Sequence, residues 1–123
     1  MQAKNTGIKR IVMATWYSLK GLKAAFKSEA AIRQECFAIA VLLPIAILAD
    51  VTLVERLLLI LTMFLVLIVE LLNTAVETVV DRVSFDQHEL SGKAKDIGSA
   101  AVFISILIAL ATWVSILWLG ASM

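Results

Sequence analysis

A single cysteine (Cys36), a single histidine (His88), a single proline (Pro44) and a single tyrosine (Tyr17) stand among the 123 residues. One cysteine excludes a disulfide within the chain and a cysteine-built zinc cluster. One histidine excludes a multi-histidine metal site. There is no G-x-x-x-x-G-K-S/T loop, no H-R-D and no D-F-G, so the phosphate-handling motifs of soluble nucleotide enzymes are missing. Internal repeats, low-complexity runs and Gly/Ser linkers are missing too. The N-terminal region lacks an uninterrupted apolar core, so no cleavable signal peptide is expected. Charge is scarce, at 17% of residues, and nearly balanced at +1. What fills the chain instead is apolar: 61% is hydrophobic and the mean hydropathy is +0.94. A soluble domain of this size buries only about 60–70% of its chain surface. It cannot hide so much apolar area. An ordinary soluble enzyme, a disordered tail and a disulfide scaffold are excluded. The composition predicts one all-α membrane domain over residues 1–123.

Charge-free runs place the spans. Residues 36–49 and 57–69 carry no charge, and Ile97 to Met123 carry none either. A membrane helix needs about 20 mostly apolar residues. Three spans are therefore expected, at about 30–49, 54–80 and 96–119. Arg33, Gln34 and Glu35 fall at the interface, Glu70 falls inside or near the end of the second span, and Pro44 is a candidate kink in the first. The loop Asp50–Arg56 is short, so the first two spans form a tight hairpin. Basic residues crowd the N-terminal part (Lys4, Lys9, Arg10, Lys20, Lys23, Lys27, Arg33) and return in the second loop (Arg82, Lys93, Lys95). By the positive-inside rule the N-terminus and second loop face the cytoplasm and the C-terminus lies outside.

The N-terminal segment, at about 8–29, reads as an amphipathic surface helix. Ile8, Ile11, Val12, Trp16, Leu19, Leu22 and Phe26 fall in an arc of roughly 140° at helical spacing. Lys9, Arg10, Lys20 and Lys27 lie outside that arc, and Lys23 sits at its edge. Such a helix lies in the membrane interface, and its basic residues anchor it to anionic lipid.

The chemistry-bearing pattern is at the end of the second span. Glu70, Asn73, Glu77 and Asp81 are spaced i, i+3, i+7, i+11 and share an arc of about 80°. A carboxylate in hydrocarbon costs roughly 2.5–3.5 kcal/mol on insertion scales, which makes Glu70 a functional candidate. Asn73 is either part of the site or interhelical glue. Asp81, beside Arg82, reads as structural. Carboxylates and an amide oxygen are hard ligands suited to Mg²⁺. Glu77 is nearer water and better placed for metal, while Glu70 is deeper and better placed to accept a proton. Glu29 is the only acid in the first 34 residues, and it is either a second metal ligand or an ordinary partner of Lys27 or Arg33.

Other residues carry weaker signals. Lys93 and Lys95 are positive-inside anchors unless a phosphate recruits them. His88 alone reads as a surface or capping histidine. Trp113 and Trp118 read as an outer aromatic belt. Gly98, Ser99, Ala100, Ala101 and Ser105 read as residues that permit close helix packing. The residues alone thus imply three spans and an acidic, Mg²⁺-suited site at the cytoplasmic side.

Three stretches go further: YSLKGLKAAFKSEAAIRQE (17–35), VELLNTAVETVVDR (69–82) and HELSGKAKDIGSAAV (88–102). They resemble the small bacterial integral-membrane diacylglycerol kinases over nearly the whole chain. The resemblance implies a homotrimer in the bacterial inner membrane that transfers the γ-phosphate of ATP to diacylglycerol, giving phosphatidic acid. Glu70 matches the family's catalytic base, and Glu29 and Glu77 match its magnesium ligands. Arg10, Tyr17, Asp86, Gln87, His88, Lys95 and Asp96 match nucleotide-contacting positions together with the two metal ligands. Asn73 matches a member of the active-site stripe. Lipid contacts are implied at Arg10, Ala14, Ser18, Lys23, Phe26, Ala31, Glu35, Leu48, Val51, Arg56, Glu70, Ser99, Trp113 and Trp118. Gln87 departs from relatives that carry an aromatic residue there. No nucleic-acid partner is expected. The nearest rival is an undecaprenol kinase of the same fold. Rivals of other classes are a small proton-coupled transporter and a non-catalytic assembly subunit, and the one-sided clustering of the acids argues against the transporter.

Overall fold

The structure is a computed structural model, and it describes residues 6–83 and 88–120. The described chain is helical from end to end. Helix α1 spans Gly7–Ser28, α2 Ala30–Leu48, α3 Leu53–Val83 and α4 Glu89–Val114, the last running on through a π-helical turn at Ser115–Leu119. Asp86 and Gln87 lie outside the described residues.

The ends of the helices follow from local chemistry. Between α1 and α2 stands one extended residue, Glu29, at φ −120° and ψ 118°. The Arg33 guanidinium turns back across this break and donates to the carbonyls of Phe26 (2.8 Å) and Lys27 (3.0 Å). Those are carbonyls that the end of α1 leaves without helical donors. Arg56 does the same for α2. It donates to the carbonyls of Ala46 (2.7 Å), Ile47 and Val51. Helix α3 starts on a reciprocal cap. The Thr52 hydroxyl accepts from the Glu55 amide at 3.1 Å, and the Glu55 carboxylate accepts from the Thr52 amide at 2.9 Å. Two orphan donors of the first turn are satisfied together. Pro44 sits inside α2 without ending it, so the cost of its missing N–H is borne within a continuous helix.

Helix α3 is the central element, packed chiefly on α4 and also on α2. Its contacts give the register. Trp113 Nε1 donates to the Leu59 carbonyl at 3.1 Å, and Lys95 Nζ meets Asp81 Oδ1 at 2.8 Å. Residue numbers rise along one helix as they fall along the other, so α3 and α4 run antiparallel. Helices Ala30–Leu48, Leu53–Val83 and Glu89–Leu119 are each long and apolar enough to cross a membrane. The chain's accessible surface is 9373 Å². A soluble globule of this length would show about 6,500 Å². The buried apolar set among the described residues is correspondingly small: Ala25, Ile32, Ala46, Leu59, Met63 and Val66.

Candidate active site

The site is built on one face of α3. Leu59, Thr62, Met63 and Val66 are buried along a seam of that helix. At helical spacing, Glu70, Asn73, Glu77 and Asp81 continue the same seam. The face is apolar at the hairpin end and polar at the other, and it stays turned toward the neighbouring helices. An acid there avoids the lipid side, where its cost would be greatest.

Glu70 is 9% exposed, and its Oε2 is buried with no hydrogen-bond partner. One turn on, Asn73 Nδ2 donates to Glu77 Oε1 at 3.2 Å. The Asn73 Oδ1 is buried and has no partner either. It lies against Gly98 of α4, where a Cβ would overlap it. A buried polar atom without a partner costs about 1–3 kcal/mol. Two such oxygens on adjacent turns of one stripe mark a place kept for something other than stability.

The cluster continues toward the loop. Asp81 pairs with Lys95, and both side chains are roughly two-fifths exposed. Of the expected nucleotide-contacting groups, Lys95 is therefore already on an acid of the stripe. His88 is the N-cap of α4: its Nδ1 accepts from the Leu90 amide at 3.0 Å. That bond uses one ring nitrogen and places the proton on the other. Asp96 and Arg10 are exposed, and Tyr17 is 46% exposed. Glu29 is half-buried at the α1–α2 break, and its side chain caps neither helix. Arg33 is engaged with backbone carbonyls, so Glu29 is not its ion-pair partner.

The oxygens on hand suit a hard divalent cation. Glu77 and Glu29 are carboxylate oxygen donors, the type that Mg²⁺ selects, whereas the Asn73 amide oxygen is turned to Gly98. Among the described residues, no three acid, histidine or cysteine side chains gather as a dedicated cage. A pair of carboxylates nevertheless fits Mg²⁺, which keeps most of its shell as water and phosphate oxygens.

Of the expected lipid-contacting residues, Glu35 lies near Glu70, and the others are spread along the helices. Ser18 lines a groove of about 750 Å³ between α1 and α3, with Leu22, Ala25, Leu71, Thr74 and Thr78. Glu35 heads an apolar pocket of about 300 Å³ among α2, α3 and α4, with Trp113 at its other end. Ala14, Lys23, Phe26, Ala31 and Ser99 are exposed. Leu48, Val51 and Arg56 sit at the α2–α3 hairpin, and Trp118 is 75% exposed in the last helical turn. Arg56 is about 21 Å along α3 from Glu70. That is beyond the reach of one head group and within the reach of an acyl chain. The Trp113 indole is half-buried and bonded across to α3, a packing contact in addition to the expected belt position.

Sequence comparison now joins the geometry. The profile described as prokaryotic diacylglycerol kinase matches residues 16–117. The chain belongs to the prokaryotic diacylglycerol kinase family. A relative named diacylglycerol kinase from Escherichia coli (strain K12) is 52% identical over 118 residues, 96% of this chain and 97% of the relative. One from Haemophilus influenzae is 50% identical over 115 residues, 94% and 98% of the two chains. One from Pseudomonas aeruginosa is 54% identical over 112 residues, 91% of each. The stretch matched to the prokaryotic diacylglycerol kinase profile contains Glu29, Glu70, Asn73, Glu77 and Lys95, whereas Arg10, Ala14 and Trp118 lie beyond it. Membership in a kinase family sets aside the transporter and scaffold readings.

Three features of the site were outside the sequence reading. Gly98 was expected only to ease packing. Arg33 and Arg56 turned out to be carbonyl clamps at two helix ends. For Arg56 a signal existed: it follows, within ten residues, a helix end that has no basic residue or glycine to cap it.

Proposed function

We propose that this chain is an ATP-dependent lipid kinase that phosphorylates the free hydroxyl of diacylglycerol to give phosphatidic acid. The observation that carries the reading is the buried, unpartnered Oε2 of Glu70 at the head of an acidic stripe. It is supported by relatives named diacylglycerol kinase that align over nearly the whole chain.

The chemistry follows from the depth of each group. Glu70 lies about 26 Å along α3 from Leu53, near the limit of a hydrocarbon core about 30 Å thick. Glu77 lies about 10 Å further on. A lipid hydroxyl arriving from the bilayer meets Glu70 first, and Glu70 accepts its proton as the hydroxyl oxygen bonds to the γ-phosphorus. The bond from that phosphorus to the bridging oxygen breaks, and ADP leaves. Glu77 and Glu29 would hold Mg²⁺, which when bound would offset the charge of the phosphates. Asn73 steadies Glu77. Lys95, Arg10, Tyr17, His88 and Asp96, with the Asp86–Gln87 pair, receive the nucleotide. The lipid lies along Ala14, Ser18, Lys23, Phe26, Ala31 and Glu35. Its chains extend toward Leu48, Val51, Arg56, Ser99, Trp113 and Trp118.

The protein works as a homotrimer in the bacterial inner membrane. The N-terminus is cytoplasmic, the C-terminus is outside, and α1 lies amphipathically in the interface. Its exposed Ile8, Ile11, Val12, Trp16 and Leu19 supply the lipid-facing surface. The test is phosphoryl transfer from labelled ATP in mixed micelles with Mg²⁺, offering diacylglycerol and undecaprenol separately. Transfer to diacylglycerol is expected. Preference for undecaprenol would reassign the acceptor, and transfer to neither would end the reading.

A further inference from the structure

The Asn73–Glu77 pair is braced from the opposite helix by a residue that has no side chain. We infer that Gly98 is a positioning residue for the metal end of the stripe: the space left by its missing Cβ seats the Asn73 amide oxygen and so keeps the amide nitrogen turned to Glu77. The inference rests on Glu77 as a metal ligand, proposed above, and adds the residue that aims it.

Gly98 lies inside α4 with helical, negative φ, so nothing in its backbone demands glycine. Glycine there lowers helix stability relative to alanine. The compensating feature is steric. A Cβ at Gly98 would overlap Asn73 Oδ1 and come within 3.2 Å of Asn73 Cγ. Gly21 and Gly92, also helical, have nothing within 4 Å of such a Cβ. Glu77 selects which way the seated amide is turned. With Oδ1 against Gly98, Nδ2 faces Glu77 Oε1 at 3.2 Å. Turned over, the amide would set its oxygen against a carboxylate oxygen. The buried Oδ1 accepts no hydrogen bond there, so the fit to Gly98 and the pull of Glu77 hold it in place.

Gly98→Ala then forces Asn73 to rotate off Glu77. The bond to a charged group is lost, and affinity for the divalent ion should fall about tenfold. The reading is Mn²⁺ binding by electron paramagnetic resonance on the purified protein in micelles, without lipid acceptor. It is paired with the side-chain amide ¹H–¹⁵N resonance of Asn73. Gly98→Ala should weaken Mn²⁺ binding and shift that resonance, while Gly92→Ala on the same helix should change neither. In an Asn73→Ala background the clash is gone, so adding Gly98→Ala should cost less than about twofold. A further tenfold loss in that background would mean that Gly98 acts through helix spacing and would overturn the inference. So would an unmoved Asn73 resonance in Gly98→Ala. If Glu77→Gln leaves Mn²⁺ binding intact, the metal reading fails by itself, and the resonance still decides the role of Gly98.

Discussion

Glu70 and Glu77 differ by two helical turns, and that distance assigns them different work. Glu70→Gln removes the proposed proton acceptor and keeps the shape. It should lower turnover by about 10²–10⁴-fold while nucleotide binding, followed by isothermal calorimetry, stays near wild type. Glu77→Gln should act on the ion instead, raising the Mg²⁺ concentration for half-maximal rate; a wild-type Mg²⁺ profile would remove Glu77 from the ligand set. The stripe of Glu70, Asn73, Glu77 and Asp81 was legible in the sequence because three-and-four spacing fixes a helix face regardless of what packs on it. What covers that face was not legible. Gly98 is 25 residues from Asn73, and only the antiparallel register of α3 and α4 brings them together. The clustering of Asp81 with Lys95 was hidden for the same reason.

Helix ends carry the next level of control. Three spans could be counted from uncharged runs, since backbone groups in hydrocarbon must be paired within their own helix. Helix ends were harder, because they depend on side chains reaching back over a turn. The Thr52–Glu55 cap has the T-x-x-E signature and fixes the start of α3. Thr52→Ala should cost about 1 kcal/mol of stability, read as a lower midpoint of denaturant-induced unfolding in micelles. About two turns into α3 from that cap, Trp113 ties α4 to the Leu59 carbonyl. Trp113→Phe keeps most of the buried area and loses the bond. It should destabilise by about 1 kcal/mol with turnover kept, a result that would separate its packing role from any lipid contact.

At the scale of the whole molecule, surface decides. The chain exposes about 2,900 Å² more than a soluble globule of its length would. Lipid and copies of the chain are the two coverings available to an apolar helical face. Sedimentation equilibrium in density-matched detergent should give three chains per particle, and a monomer would refute the proposed assembly. Orientation has its own check. In a Cys36→Ser background, a membrane-impermeant maleimide added to intact cells with a permeable outer layer should label Asp50→Cys. It should reach Thr6→Cys only after the inner membrane is opened. The reverse pattern would invert the topology drawn from the basic residues.

A joint of one residue leaves no slack. Glu29 is both the elbow between α1 and α2 and an oxygen donor, so the elbow cannot flex without re-aiming the donor. A tilt of the first helix therefore changes the backbone at the residue that carries that carboxylate.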